Sequence, residues 1–265
     1  MTAEATLRVA TCNLHEGGLE AGMPGPRWNQ HMQRLSELSL DVLFVQELHG
    51  WEREGGALLF AAEEQLDMRG LFAPAPMVDC HLGIFIRAGR IRPKRWDLRY
   101  SPMAWHAYAQ ATLTMVGLAT PLTAVSVHLS PWSPEQRLIE TAVIAQNVGK
   151  ARWGIAAGDF NAVPPGDPEP PWDRMPQRKQ AQAITTDGAV QADRRPGQRL
   201  SAAGLVDAAR AHAAATGGGD PPITGEHFRN DQIWTTPTIG VKHVEAVNTG
   251  LSDHRLVVAE LEVRR

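Results

Sequence analysis

Seven short segments of this chain are apolar at nearly every position: 7–12, 42–45, 82–86, 111–116, 122–129, 154–157 and 255–263. They are rich in Val, Ile, Leu and Thr and too short for buried helices, so each predicts a β-strand. A strand without polar alternation has both faces covered, which requires helices or a second sheet on either side. Helical spacing appears between them, at 28–40 and 56–66. It recurs at 134–148, where Ser133 and Pro134 supply an N-cap and first-turn pair, and at 200–215, which stops at Gly217, Gly218 and Gly219. Interleaved helices and a larger number of strands, with no linker at the midpoint, predict one layered α/β domain over 1–265. The segment 164–199 is rich in Pro, Gly and charge and has no periodicity, so it predicts a long surface loop.

Composition narrows the class. With 26 Lys+Arg against 29 Asp+Glu the net charge is −3, which excludes binding to nucleic acid by bulk charge. No apolar run approaches the ~20 residues of a membrane span, and residues 1–11 carry no basic patch leading into an apolar core, so no secretory signal and no membrane partner are expected. Two cysteines, Cys12 and Cys80, make no disulfide scaffold, and a cytoplasmic location is the expectation.

The strand-like runs share a second property: most adjoin a residue able to bind a metal or a phosphate. Asn13 follows the first, Glu47 the second, His128 lies in the fifth, Gly158, Asp159, Phe160 and Asn161 follow the sixth, and Ser252, Asp253 and His254 precede the last. Neighbouring strand ends share a sheet edge, so these groups can converge on one rim. Taken singly, each is a turn former or a solvated charge. Ser252 beside Asp253 and His254 makes no nucleophilic triad, because adjacent side chains point apart. Cys12 and Cys80 read as core thiols, and His15, His31, His49, His81, His106, His212, His227 and His243 as ordinary histidines, although His15 and His49 lie two residues beyond Asn13 and Glu47.

In order along the chain stand LRVATCNLHEGG at 7–18, DVLFVQE at 41–47, VHLSPWSPEQR at 127–137, AGDFN at 157–161, LSAAGLVDA at 200–208, RNDQIW at 229–234 and LSDH at 251–254. This set resembles the endonuclease/exonuclease/phosphatase superfamily along nearly the whole chain. The resemblance implies a four-layer α-β-β-α sandwich of two packed, mainly antiparallel mixed sheets flanked by helices. It implies that Asn13, Glu47 and Asp253 are oxygen ligands to Mg2+ or Mn2+, hard cations of this kind. It further implies that His254 is a general base held by Asp231, that Asp159 orients or helps deprotonate the attacking water, that Asn161 donates to a phosphate oxygen, and that His128 contacts the phosphate and protonates the leaving group. The chain departs from the family pattern at Asn230 and Gln232, which flank Asp231, and at Ile84, where an Asn often follows the strand glycine. His128 stands where abasic-site nucleases carry Tyr, which favours the deoxyribonuclease, sphingomyelinase and phosphatase branches.

The expected activity is metal-assisted, nuclease-like hydrolysis of a phosphodiester in a phosphorylated partner such as DNA or RNA. The alternatives are a phosphatase acting on a small metabolite, phosphoinositide or biosynthetic intermediate, and a non-catalytic binding module on the same scaffold. Two basic stretches bear on substrate: Arg87, Arg90, Arg92, Lys94, Arg95 and Arg99, interleaved with Trp96 and Tyr100, and in the loop Arg174, Arg178, Lys179, Arg194, Arg195 and Arg199. Basic residues with aromatics can track phosphates; an ordinary solvated hairpin and loop is the simpler reading.

Overall fold

The computed structural model describes residues 4–180, 182–186 and 189–264. The strands are β1 (Glu4–Asn13), β2 (Val42–Gln46), β3 (Met68–Ala73), β4 (Leu82–Arg87), β5 (Ile91–Asp97), β6 (Ala109–Met115), β7 (Leu122–His128), β8 (Trp153–Asp159), β9 (Ile184–Thr186), β10 (Ala189–Gln191), β11 (Val206–Asp207), β12 (Asp231–Thr235), β13 (Ile239–Val247) and β14 (Leu256–Arg264). The helices are α1 (Pro26–Ser36), α2 (Ala57–Leu66), α3 (Pro134–Gly149), α4 (Gln177–Gln180), α5 (Arg195–Ala202) and α6 (Ala208–Thr216). Two six-stranded sheets, ordered β13-β14-β1-β2-β4-β3 and β11-β12-β8-β7-β6-β5, pack face to face with helices outside them, giving the expected four layers.

Period-two alternation builds the layers. On β1, Leu7 and Val9 enter the core between the sheets while Ala10 and Cys12 meet α1. On β2, Val42 and Phe44 point inward and Leu43 and Val45 outward. On β7 and β8, Leu122, Ala124, Ile155 and Ala157 are inward, with Val125, Val127 and Ala156 packed beneath α3 and α5. The pairings β1–β2 and β7–β8 are parallel, and every other pairing in the two sheets is antiparallel. Each parallel pair is joined across the outer face by a helix, α1 or α3, so each sheet has a β-α-β unit at its centre.

Strands β3, β5, β11, β12 and β13 lie outside the seven apolar runs, and two of the predicted segments are built differently. The single helix expected at 200–215 is two, α5 and α6, separated by Gly204 at φ +83° and by the short strand β11, with Asp207 capping α6 through the N–H groups of Ala209 and Arg210. The segment 164–199 is not structureless. It holds α4, the β9–β10 hairpin and the start of α5, and with Val163 and Phe228 it forms a small core of Trp172, Met175, Ala183 and Ala192. Its residues 181, 187 and 188 lie outside the described residues. Regular elements this short leave no periodicity to read.

Two buried arginines fasten that segment to the sandwich. Arg137 of α3 pairs with Asp193 at 3.2 Å. Arg229, ahead of β12, makes a forked pair of bonds to Asp167 at 2.9 Å each and reaches Asp207 at 3.0 and 2.6 Å. Removing the cation would strand two buried carboxylates. Arg229→Leu is expected to lower unfolding stability by roughly 3–5 kcal/mol, with Arg229→Lys in between because lysine lacks the fork; urea denaturation of both variants measures it.

Candidate active site

The inward parity of five strands ends in polar side chains at one rim. Asn13 follows Leu7 and Val9 on β1, Gln46 follows Val42 and Phe44 on β2, His128 ends β7, Asp159 ends β8 and Asp231 begins β12. Register locks them side by side: Asn13 lies opposite Gln46, His128 opposite Asp159, and Asp159 opposite Asp231. Both parallel pairs point their carboxyl ends at this rim, so the convergence rests on parallel pairing as much as on the antiparallel edges. One layer deeper, Thr11 Oγ1 donates to Gln46 Oε1 at 3.0 Å, and Gln46 Nε2 donates to Ser126 Oγ at 3.3 Å, a polar floor bridging the two sheets.

The cluster itself is continuous. Asn13 Nδ2 donates to Glu47 Oε1 at 3.0 Å and approaches Asp159 Oδ2 at 3.5 Å, crossing from one sheet to the other. Asp159 Oδ2 lies 3.5 Å from His128 Nε2 and 3.9 Å from His254 Nε2. His254 Nδ1 donates to Asp231 Oδ2 at 2.8 Å, a second bond between the sheets. Asn161 folds back so that its N–H reaches Asp159 Oδ1 at 2.8 Å and its Nδ2 reaches the Leu129 carbonyl at 3.0 Å. Asp253 joins least directly: its carboxylate, 58% exposed, pairs with His15 Nδ1 at 3.0 Å, and His15 in turn donates its backbone N–H to Asn13 Oδ1. Ser252 Oγ is taken up locally, by Asp253 and by the His254 N–H.

The backbone is specialised at the same places. Glu47 and Asn161 have φ of +59° and +45°, left-handed conformations that cost non-glycine residues on the order of 1–3 kcal/mol and persist where surroundings over-determine them. Here the over-determination is visible, since the Glu16 N–H fixes Glu47 Oε2 at 2.9 Å. Gly158, the first motif residue after Ala157, has φ +148°, and a Cβ there would lie 1.8 Å from the Val127 carbonyl oxygen.

Asn230 and Gln232, unusual beside Asp231, do not displace its bond to His254. Gln232 Nε2 donates to the Ala162 and Arg229 carbonyls while its Oε1 accepts from Trp234, and the Asp231 N–H donates to Thr224 Oγ1. Two arginines of the first basic stretch, Arg87 and Arg90, lie away from the rim. Arg90 and Arg87 bind Asp41 and the Leu40 carbonyl at the opposite end of β2, and Arg95 and Arg99 are tied to Asp97. In the second, Arg194 pairs with Glu169 and Arg195 with Asp193.

Charge is the distinctive feature of the site. Asp159 and Asp231 are buried and Glu47 is half-buried beside them in one connected cluster, and among the described residues every ion-pair partner of these three and of Asp253 is a histidine. Burial alone would raise the Glu47 carboxyl, but the histidines facing it and the bonds from Glu16 and Asn13 hold it below the usual carboxylate range. Asp159 is raised, chiefly by burial. Burial lowers His128, leaving it a neutral imidazole. His254 goes the other way: burial opposes its charge, yet Asp231 first, and then Asp159 and Asp253, push it up to about 10. A surplus of buried anionic oxygen is the donor chemistry that suits a hard divalent cation, and Glu47 with Asn13 Oδ1 stands at the end of the cluster where such an ion fits. Because His254 takes up a proton on folding, its contribution to stability is full below its unfolded value of 6.5 and fades as pH rises through about 10. In EDTA, the melting-temperature gap between wild type and His254→Gln is expected to be widest below pH ~6 and to close toward pH ~10; a gap that grew with pH would contradict the assignment.

Sequence reasoning missed His15, the Thr11–Gln46–Ser126 floor, Thr224, and the pair Cys80 and His106 behind His128. Thr11 and Ser126 carried a usable signal, each standing two residues before a site residue on the same strand face. Cys80 and His106 carried none, because loops distant in sequence bring them in.

Comparison with known proteins agrees with this architecture. No curated protein sequence is significantly similar to the chain. Among solved structures, the human Nocturnin catalytic domain with bound sulfate superposes with a TM-score of 0.70 at 17% identity, covering 100% of this chain and 98% of that one. D. rerio TDP2 complexed with single-strand DNA product gives 0.61 at 16%, covering 97% and 99%, and the Bacteroides thetaiotaomicron mannosyl-6-phosphatase gives 0.63 at 14%, covering 96% and 99%. At such identities these likenesses show the fold. The sequence model of the Endonuclease/Exonuclease/phosphatase family matches residues 10–254, and the chain belongs to that family.

Proposed function

We propose that this protein is a Mg2+- or Mn2+-dependent phosphoesterase that hydrolyses a phosphodiester in a nuclease-like reaction. The observation that carries the proposal is the cluster of carboxylates at the rim between the sheets, Asp159 and Asp231 buried and Glu47 half-buried, whose ion-pair partners among the described residues are all histidines. Glu47 and Asn13 would hold the ion, with Asp253 and His15 at its outer side; when bound, such an ion supplies Lewis-acid neutralisation of charge on the phosphoryl oxygens. The remaining work belongs to side chains. Asp231 fixes the His254 ring so that Nε2 faces Asp159, and a water held between those two groups can pass its proton to one of them. Asn161 spends one amide hydrogen on Leu129 and keeps the other for a phosphate oxygen. His128, buried and neutral, acts as an N–H donor through Nε2, so in this reading it binds the phosphate and leaves proton transfer to the pair Asp159 and His254.

A diester is favoured over a monoester because no lysine or arginine pairs with the cluster among the described residues, and a single phosphate charge asks for less compensation than two. TDP2 with its single-strand DNA product supports this choice. The mannosyl-6-phosphatase, together with the arginines drawn away from the rim, favours the second reading, a phosphatase of a small phosphorylated molecule. No helix among the described residues is long and apolar enough to cross a membrane.

Purified protein is expected to hydrolyse bis(p-nitrophenyl) phosphate or DNA with Mg2+ or Mn2+ and to lose that activity in EDTA. Asp159→Asn and His254→Ala are each expected to lower kcat at least ~10²-fold; wild-type rates in either would remove them from the mechanism. Faster turnover of any phosphomonoester assayed in parallel would establish the second reading.

A further inference from the structure

Behind the cluster, Cys80, His106 and His128 meet in the interior. All three are buried, and one donor atom from each lies within 4.8 Å of the others. We infer that they form a second metal site, for a thiophilic divalent cation such as Zn2+, separate from the oxygen donors Asn13 and Glu47 and different in chemistry. The cation would bind Cys80 as thiolate, displacing its proton to solvent, together with one nitrogen from each imidazole, and a water would complete four-coordination.

Hydrogen bonding has already selected the tautomers this requires. His106 Nδ1 lies 2.8 Å from the His128 carbonyl oxygen, which can only accept, so Nδ1 carries the hydrogen and Nε2 keeps its lone pair. His128 Nε2 faces the Asp159 carboxylate at 3.5 Å and carries its hydrogen there, which leaves Nδ1 with a lone pair 3.8 Å from Cys80 Sγ. A ligating histidine that donates its other N–H to a carbonyl or carboxylate is the usual support of a zinc site. The 3.8 Å separation is near the roughly 3.5 Å that tetrahedral Zn–S and Zn–N bonds impose. Thiolate and imidazole are soft and intermediate donors, whereas Glu47 and Asn13 offer oxygen and no thiolate, so the two sites differ in the cations they favour.

One contact must change. The His106 and His128 rings are stacked, 3.7 Å apart and 22° from parallel, and an ion in the plane of both requires them to turn apart. Turning His128 moves Nε2 away from Asp159. The thiophilic ion is therefore inhibitory, a consequence that rests on the proposed phosphate-binding role of His128; the metal site itself does not.

Titrating EDTA-treated protein with Co2+ tests the site without any assay of catalysis. A thiolate-to-Co2+ charge-transfer band with tetrahedral visible bands is expected, saturating at one equivalent and abolished by Zn2+. In Cys80→Ser the band should be absent and Zn2+ binding weaker by at least ~10²-fold, while Mg2+-supported hydrolysis persists and its inhibition by Zn2+ is relieved. Cys12→Ser should behave as wild type, and His106→Gln, should Cys80→Ser fold poorly, should weaken Zn2+ binding to a similar degree. Wild-type Zn2+ affinity in folded Cys80→Ser, or no thiolate band in wild type, overturns the site. A band without any phosphoester hydrolysis would leave the site standing and remove the proposed function instead.

Discussion

Carboxylates are costly to bury in charged form, and this fold buries two, Asp159 and Asp231, with Glu47 half-buried beside them in one connected cluster. What makes that tolerable is their position: they form the last inward-facing layer of an otherwise apolar core, where histidines, backbone N–H groups and an asparagine amide can reach every one of them. Three of the bonds involved, Asn13 to Glu47, Asn13 to Asp159 and His254 to Asp231, run between or along the two sheets, so electrostatic cohesion of the site and docking of the sheets are the same set of contacts. The left-handed turns at Glu47 and Asn161 belong to this arrangement, since each swings a side chain back over the layer from a strand that has already ended.

How much of this the amino acids disclosed follows from which forces act locally. The central strands were readable because burial on both faces writes an uninterrupted apolar run, and β2, β4, β7 and β8 all do so. β5 and β13 were not: they lie at sheet edges, with exposed charged residues such as Arg92, Lys94 and Lys242 along their length, so no apolar run marks them. The gap between α5 and α6 was hidden by a stretch of alanines with high helical preference, overridden by one glycine and by the pairing of β11 with β12. The segment 164–199 concealed its order because Arg137 and Arg229 hold it from outside, and ion pairs across the chain leave no local pattern.

The site divides in the same way. Residues that end strands carried a signal in the alternation itself, and family resemblance attached roles to them. Asp253 was grouped with Asn13 and Glu47 by sequence, whereas in the structure His15 stands between it and them. Six of the arginines that suggested a phosphate track, Arg87, Arg90, Arg95, Arg99, Arg194 and Arg195, are spent on carboxylates and carbonyls, which sequence could not show because the partners are remote or locally ambiguous. Substrate preference thus rests with side chains beyond the strands, while the chemistry rests with the strands.

The two β-α-β units have a further implication. One contributes Asn13 and Glu47, the other His128 and Asp159, and neither half owns a complete set. A chain that has folded one unit but not joined it to the other is chemically mute. Under the proposed function, hydrolytic power would emerge only at the final act of assembly, and a nascent or partly melted molecule would pose no hazard to the phosphoesters around it.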